Sequence, residues 1–171
     1  MLNLTYNYKI IPTREQIDKI ELNLSVCKSV WNYALAERKL WSNSRSCSVN
    51  ACSINSEYIV SPFEYPTYHK QSANLTQAKK TNLFLKSGNA QAMQQTLRKL
   101  DRAFNDMKAH GKGFPRFKKR MKSFNLISNK IELKGSKIKM PLLKKVRFVK
   151  SRDIPDGFKI DCFQFAIALP S

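Results

Sequence analysis

The stretch Asn89–Phe124, NAQAMQQTLRKLDRAFNDMKAHGKGFPRFKKRMKSF, joins two segments with different physics. In the first, Ala90, Met93, Leu97, Leu100, Phe104 and Met107 recur at three- and four-residue steps. They therefore share one face of an amphipathic helix over Asn89–Ala109. Gln91, Gln94, Gln95, Arg98, Lys99 and Arg102 fall on the other faces. Asn89 is placed to cap the helix, and Gly88 breaks whatever precedes it. Gly111 and Gly113 end it, and Pro115 keeps it from restarting. The second segment is basic and punctuated by aromatics: Lys112, Phe114, Arg116, Phe117, Lys118, Lys119, Arg120, Lys122 and Phe124. Lys and Arg release counterions from phosphates, and aromatic faces can stack on unpaired bases. The phenylalanines alone read better as core plugs. The segment as a whole, with its one-sided charge, reads as a nucleic-acid binder.

Composition agrees. A chain of 171 residues with 42% hydrophobic residues, two Trp and ten Phe can bury a real core. A net charge of +19 points to a polyanion, nucleic acid before acidic membrane. The charge is also uneven. From Lys108 to Lys150 there are fifteen Lys and Arg against one acid, Glu132, the footprint of a phosphate-binding surface. No stretch is apolar enough to span a bilayer, and MLNLTYNYKI lacks the layout of a signal peptide. The expected compartment is the cytoplasm. Cys27, Cys47, Cys52 and Cys162 form no CxxC pair, and His69 and His110 have no zinc-finger spacing. No metal and no cofactor is expected.

Upstream, Leu2 to Ile11 alternates apolar and polar, which predicts a half-buried strand ended by Pro12. Thr13 and Gln16 form a capping box. It opens a helix striped by Ile17, Ile20, Leu24, Cys27, Trp31 and Ala34 and running to about Trp41. Ser42–Ser61 reads as a loop, prolonged by Pro62 and Pro66. A second helix is expected from around Ser72 to before Gly88. Downstream the period changes to two. Ile131 and Leu133, then Ile138 and Met140, flank a Lys134-Gly135-Ser136 turn. Val146, Phe148 and the run Phe158–Ile167 suggest more strands, with a turn at Pro155-Asp156-Gly157. The block order predicts an α+β fold: a small β-barrel whose first strand precedes about three helices and whose other strands follow them.

Several stretches in order resemble one family: Tyr8–Thr13 with Glu15-Gln16, Cys27–Leu35, Gln91–Leu97 with Leu100–Phe104, Phe114–Lys119, and Lys137–Pro141. Together they resemble the N-terminal half of the OrfB/TnpB proteins of bacterial insertion sequences, relatives of the type V CRISPR effectors. The resemblance implies an oligonucleotide-binding-type wedge barrel interrupted by a helical recognition domain, often called helix-turn-helix. On this chain that gives residues 1–12 as the first wedge strand, 13–112 as the recognition domain, and 113–171 as the basic segment and remaining wedge strands. The family members are RNA-guided DNA endonucleases, whose RuvC-like domain would follow.

This chain has no strand carrying Gly-Ile-Asp-Leu-Gly and no CxxC pairs. Asp153, Asp156 and Asp161 lie in turn and strand context and read as solvated acids rather than a two-metal site. The expectation is therefore a truncated, non-catalytic member that binds guide RNA and target-adjacent double-stranded DNA, with a nuclease half encoded separately if it exists. The resemblance assigns target reading to Tyr68, Ser72, Gln94 and Asn125, whose side chains suit base edges. Arg116, Lys118, Lys119, Arg120 and Lys122 are the expected phosphate contacts. Two alternatives are a stand-alone helix-turn-helix DNA binder or repressor, and an inactive fragment. A metal-dependent nuclease ranks last.

Overall fold

The computed structural model of the chain describes residues 5, 7–46, 64–127, 132–140, 142–152 and 162–166. It is an α+β fold with the element order β1 (Ile10–Ile11), α1 (Arg14–Ser46), α2 (Tyr68–Thr81), α3 (Leu83–Ser87), α4 (Ala90–His110), β2 (Ser123–Ile127), β3 (Glu132–Lys134), β4 (Lys137–Met140), β5 (Lys144–Phe148) and β6 (Cys162–Ala166).

α1 is the axis of the molecule. It runs 33 residues without a Gly or Pro, roughly 50 Å at 1.5 Å per residue. With no breaker at Trp41, it continues to Ser46, five residues into the stretch expected to be loop. Gln16 fixes its start: Oε1 accepts from Thr13 N at 3.0 Å, and Nε2 donates to Leu143 O and Lys145 O, both at 2.9 Å. The carboxamide thus makes its half of the expected capping box and also ties the helix to β5 and the turn before it.

The expected second helix is two. Thr67 caps α2 by accepting from Lys70 N, so the helix starts four residues before Ser72. At Asn82 the backbone turns extended, and Oδ1 accepts from Phe84 N and Leu85 N. A side chain that offers the backbone an alternative to the helix ladder ends α2 and caps α3. α4 keeps its expected bounds to within a residue. Asn89 Oδ1 accepts from Ala92 N, and Gly111 closes the helix in the left-handed region at φ 64°. At Gly88 a Cβ would lie 2.7 Å from Val26 Cγ1, so only glycine lets the chain pass this close to α1.

The strands form two antiparallel sheets, one of order β1-β5-β4-β3 and one pairing β2 with β6. The strand ahead of the helices does return to the downstream sheet, with Ile10 opposite Phe148 and Ile11 opposite Arg147. Of the expected strand Leu2–Ile11, Ile10 and Ile11 pair with β5, and residues 2–4 and 6 lie outside the described residues. The expected hairpin turns at Gly135, φ 56°, with Leu133 opposite Ile138. β2 lies where no strand was expected; Phe124 pairs with Phe165 and Asn125 with Gln164.

The expected closed barrel is not what the described residues form. Among the described strands β2 and β6 pair only with each other, and the two sheets meet through side chains instead. Met121, Phe124, Leu126 and Phe165 share one core with Ile138, Met140, Val146 and Phe148, closed by Ile20, Leu24 and Cys27 of α1. A second core joins Val30, Trp31, Ala34 and Leu35 of α1 to Met93, Leu97, Leu100 and Phe104 of α4. The turn at 155–157, the strand residues 158–161, Ile131 and Ile167 lie outside the described residues.

Candidate nucleic-acid interface

Residues 111–122 have no regular secondary structure, yet α1 holds them. Asn32 Nδ2 donates to Lys118 O at 3.0 Å, and its Oδ1 accepts from Lys118 N at 2.9 Å. Trp31 Nε1 donates to Arg116 O at 3.1 Å. Two adjacent side chains thus satisfy three backbone groups that a strand partner would otherwise take. Lys118 Nζ lies 3.8 Å from the centre of the Trp31 ring and 3.7 Å from Met121 Sδ. Lys118 is therefore half-buried, whereas Arg116, Lys119, Arg120 and Lys122 are exposed.

The aromatics of this segment divide. Phe124 is 1% exposed and belongs to the core. Phe114 meets Phe104 edge-on at 5.3 Å. Phe117 is 51% exposed, with Lys39 Nζ 5.7 Å from its ring centre.

The second surface is the solvent face of α4. Gln94, Arg98, Gln91, Arg102, Gln95 and Lys99 sweep an arc of about 140° at 3.6 residues per turn. Arg98 Nε donates to Tyr68 OH on α2 at 3.1 Å, and its guanidinium lies 5.7 Å from that ring centre. At the other edge, Lys99 Nζ donates to Asn125 Oδ1 on β2 at 2.9 Å. Consecutive residues of α4 therefore hold Tyr68 on one flank and Asn125 on the other. Gln94 is exposed one turn before Arg98, and half-buried Ser72 follows Tyr68 by one turn of α2. Three of the residues expected to read a target, Tyr68, Gln94 and Asn125, thus lie on or against one helix face, while Ser72 stays on α2. The two carboxylates of α4 are matched by cations, Asp101 by Arg38 at 2.9 Å and Asp106 by Lys112 at 2.8 Å. The Lys112 ammonium, donating to Asp106, holds that carboxyl below its ordinary range.

Burial pushes the Lys99 ammonium below the ordinary lysine range; nearby Arg102 adds to the effect, and the Cys27 thiol opposes it. Burial likewise lowers Lys118, with Lys99 adding repulsion. Burial raises the Cys27 thiol against the opposing influence of its Thr96 hydrogen bond and of Lys99, so Cys27 stays a neutral core thiol.

Sequence reasoning missed the network beneath α4. Arg38 is 1% exposed. Its Nε donates to Gln71 Oε1 at 3.0 Å, and its guanidinium lies 5.0 Å from the Phe104 ring centre. Gln71 Nε2 in turn donates to Ala34 O and Glu37 Oε2. Arg38, Gln71 and Asp101 so bolt α1, α2 and α4 together. The signal was present but faint: Arg38 continues the stripe Leu24-Trp31-Leu35 on its buried side. Asn32 was equally visible as the one polar residue within Val30–Leu35.

Among the described residues no three His, Cys, Asp or Glu side chains gather to hold a metal; Asp153, Asp156 and Asp161 lie outside them. No helix among the described residues is long and apolar enough to cross a membrane.

The arrangement is that of a basic α+β module with a polar helix face beside a tethered cationic strap. Comparison with known families adds one finding. Residues 1–46 match the helix-turn-helix domain model of the IS605 OrfB family, HTH_OrfB_IS605. The N-terminal region of this chain is thus similar to the OrfB helix-turn-helix region. No curated protein matches the chain. Within the matched span the described residues form strand β1 and one uninterrupted helix, α1, rather than two helices around a turn.

Proposed function

We propose that this chain binds nucleic acid with two surfaces: the α4 face against base edges of double-stranded DNA, and the strap 112–122 against phosphates. Tyr68, Ser72, Gln94 and Asn125 are the readers; Arg116, Lys118, Lys119, Arg120 and Lys122 are the grips. The observation that carries the reading is that Tyr68 and Asn125 meet the consecutive α4 residues Arg98 and Lys99, on the helix that carries Gln94, with both α4 acids already matched by cations. Gln can make a bidentate pair with adenine, and Asn, Ser and Tyr supply short hydrogen-bonding tips. The match to the OrfB domain supports nucleic-acid binding in a transposon-associated setting. The finer reading is a TnpB-like role, in which guide RNA occupies part of the basic surface and the α4 face reads DNA beside the target. The proposed activity of the residues described is binding.

The experiment is anisotropy with a labelled duplex library, with and without co-expressed RNA and with and without RNase. Sequence-selective duplex binding that needs RNA supports the TnpB-like role. Selective binding that survives RNase supports the second reading, a stand-alone DNA binder, which the family match also favours. Absence of binding at low salt refutes both.

A further inference from the structure

Phe117 sits where the backbone of the strap is pinned on both sides. Trp31 Nε1 donates to the carbonyl of Arg116, the residue before it. Asn32 holds both N and O of Lys118, the residue after it. A backbone fixed in this way aims the side chain between the pins. The ring is nonetheless 51% exposed. The same stretch of chain buries Phe124 and sets Phe114 edge-on against Phe104 at 5.3 Å, so a core is within its reach. A single exposed ring is ordinary. A ring held out at the wall of a cationic cleft is not. Phe117, Phe114 and Pro115 line a cleft of about 660 Å³ together with Gly113, Arg116 and, from α1, Lys39. None of these lining residues is acidic, and Lys39 Nζ lies 5.7 Å from the centre of the Phe117 ring.

We propose that this cleft takes an unpaired base of a single nucleic-acid strand, stacked on Phe117. This rests on the reading of the chain as a nucleic-acid binder and deepens it, because it assigns a single-stranded site next to the phosphate grips. An uncharged apolar partner would use the rings and leave the cations idle. A phosphate chain alone would do the reverse. A nucleotide with a free base uses both, its π-face on the ring and its phosphates near Lys39 and Arg116. In a duplex each base is already stacked on its neighbours, so the ring has little to offer there. Every base has a π-face, so the site is tolerant of sequence. Trp31 and Asn32 act as positioning residues, since they fix the backbone from which the ring projects.

The test compares strands that differ only in their bases. The probes are labelled oligo(dT), an abasic deoxyribose-phosphate strand of the same length, and oligo(rU). Wild type should bind oligo(dT) more tightly than the abasic strand. Phe117→Leu keeps an apolar side chain but removes the ring, and should weaken oligo(dT) binding by about 5- to 150-fold. It should leave the abasic strand and the salt slope unchanged, because no phosphate contact is lost. Phe117→Trp should restore binding. Whichever of oligo(dT) and oligo(rU) wild type holds more tightly, and Phe117→Leu weakens more, names the strand that occupies the cleft. If Phe117→Leu weakens the abasic strand as much as oligo(dT), or weakens neither, the proposal is overturned. If duplex binding persists in that case, only the base site is lost; if wild type binds neither strand nor duplex at low salt, the broader reading falls with it. Vesicles of acidic phospholipid that bind wild type but not Phe117→Leu, with strand binding unchanged, would assign the ring to a membrane and also overturn the proposal.

Discussion

The strap and the α4 face are both basic, both exposed and both packed against α1, yet they are built in opposite ways. The strap has no hydrogen-bonded ladder of its own. Its shape is borrowed from Asn32 and Trp31, which grip its backbone and leave four of its cations free to adapt. The α4 face is rigid, because helix geometry fixes the spacing of Gln94, Arg98 and Lys99 and a buried network underneath fixes the helix. A phosphate chain varies little with sequence and tolerates an adaptable partner, whereas a base edge needs side chains held in one geometry. The difference in construction matches the proposed division of labour.

The largest effect should come from Arg38→Ala. It leaves Gln71 and Asp101 without their partner and is expected to destabilise the protein by about 3 kcal/mol, toward the low end for a buried pair because Asp101 is partly in water. Chemical denaturation measures it. Any residual folded population should lose sequence preference before overall affinity, since α2 and its Tyr68 come loose from α4 while the strap stays tied to α1. A loss of less than about 0.5 kcal/mol would mean that the network does not hold the α4 face.

Asn32→Leu should act on the other region. It leaves Lys118 N and O without their partner, at a cost of about 1–2 kcal/mol. Limited proteolysis should show faster cleavage at Arg116–Lys122, with the helices as resistant as before. Unchanged cleavage there would show that the strap holds itself.

The smallest effect is a pH dependence at Lys99 and Lys118. Lys99 and Lys118 bind their protons less tightly folded than unfolded. Between their lowered folded pKa values and the ordinary 10.5 the unfolded chain therefore holds more protons, and stability from these groups rises with pH. Cys27, raised from 9.0, works in the opposite direction as pH climbs above that value. The comparison to make is wild type against Lys99→Met: melting temperature should rise with pH more in wild type, while its DNA binding weakens. Parallel curves would contradict the part-buried placement of the Lys99 ammonium.

Much of this was legible beforehand where local chemistry decides. α4 could be read from the spacing of Met93, Leu97, Leu100 and Phe104, its start from Asn89, and the hairpin turn from Gly135. The return of the first strand to the downstream sheet followed from block order. What escaped was non-local. Ser123–Ile127 is a strand because it pairs with residues around 164, far along the chain, and Phe124 looked like the end of a basic run. Whether two sheets close into a barrel depends on such pairings, which periodicity does not encode. Among the site residues, charge picked out the strap as a candidate, but it could not show that Lys118 turns inward. Nor could it show that Asn125 faces α4 through Lys99, a contact between residues 26 positions apart.

The most direct test is a crossed measurement of salt slope and sequence preference on the same duplexes. The variants are Gln94→Ala and the fourfold Arg116/Lys119/Arg120/Lys122→Ala. Two separate surfaces predict that the fourfold variant flattens the slope by about 3 to 4 and keeps the ranking of sequences. Gln94→Ala should leave the slope and shrink discrimination at one position by about 1–3 kcal/mol. Equal changes in slope and ranking for both variants would contradict the account.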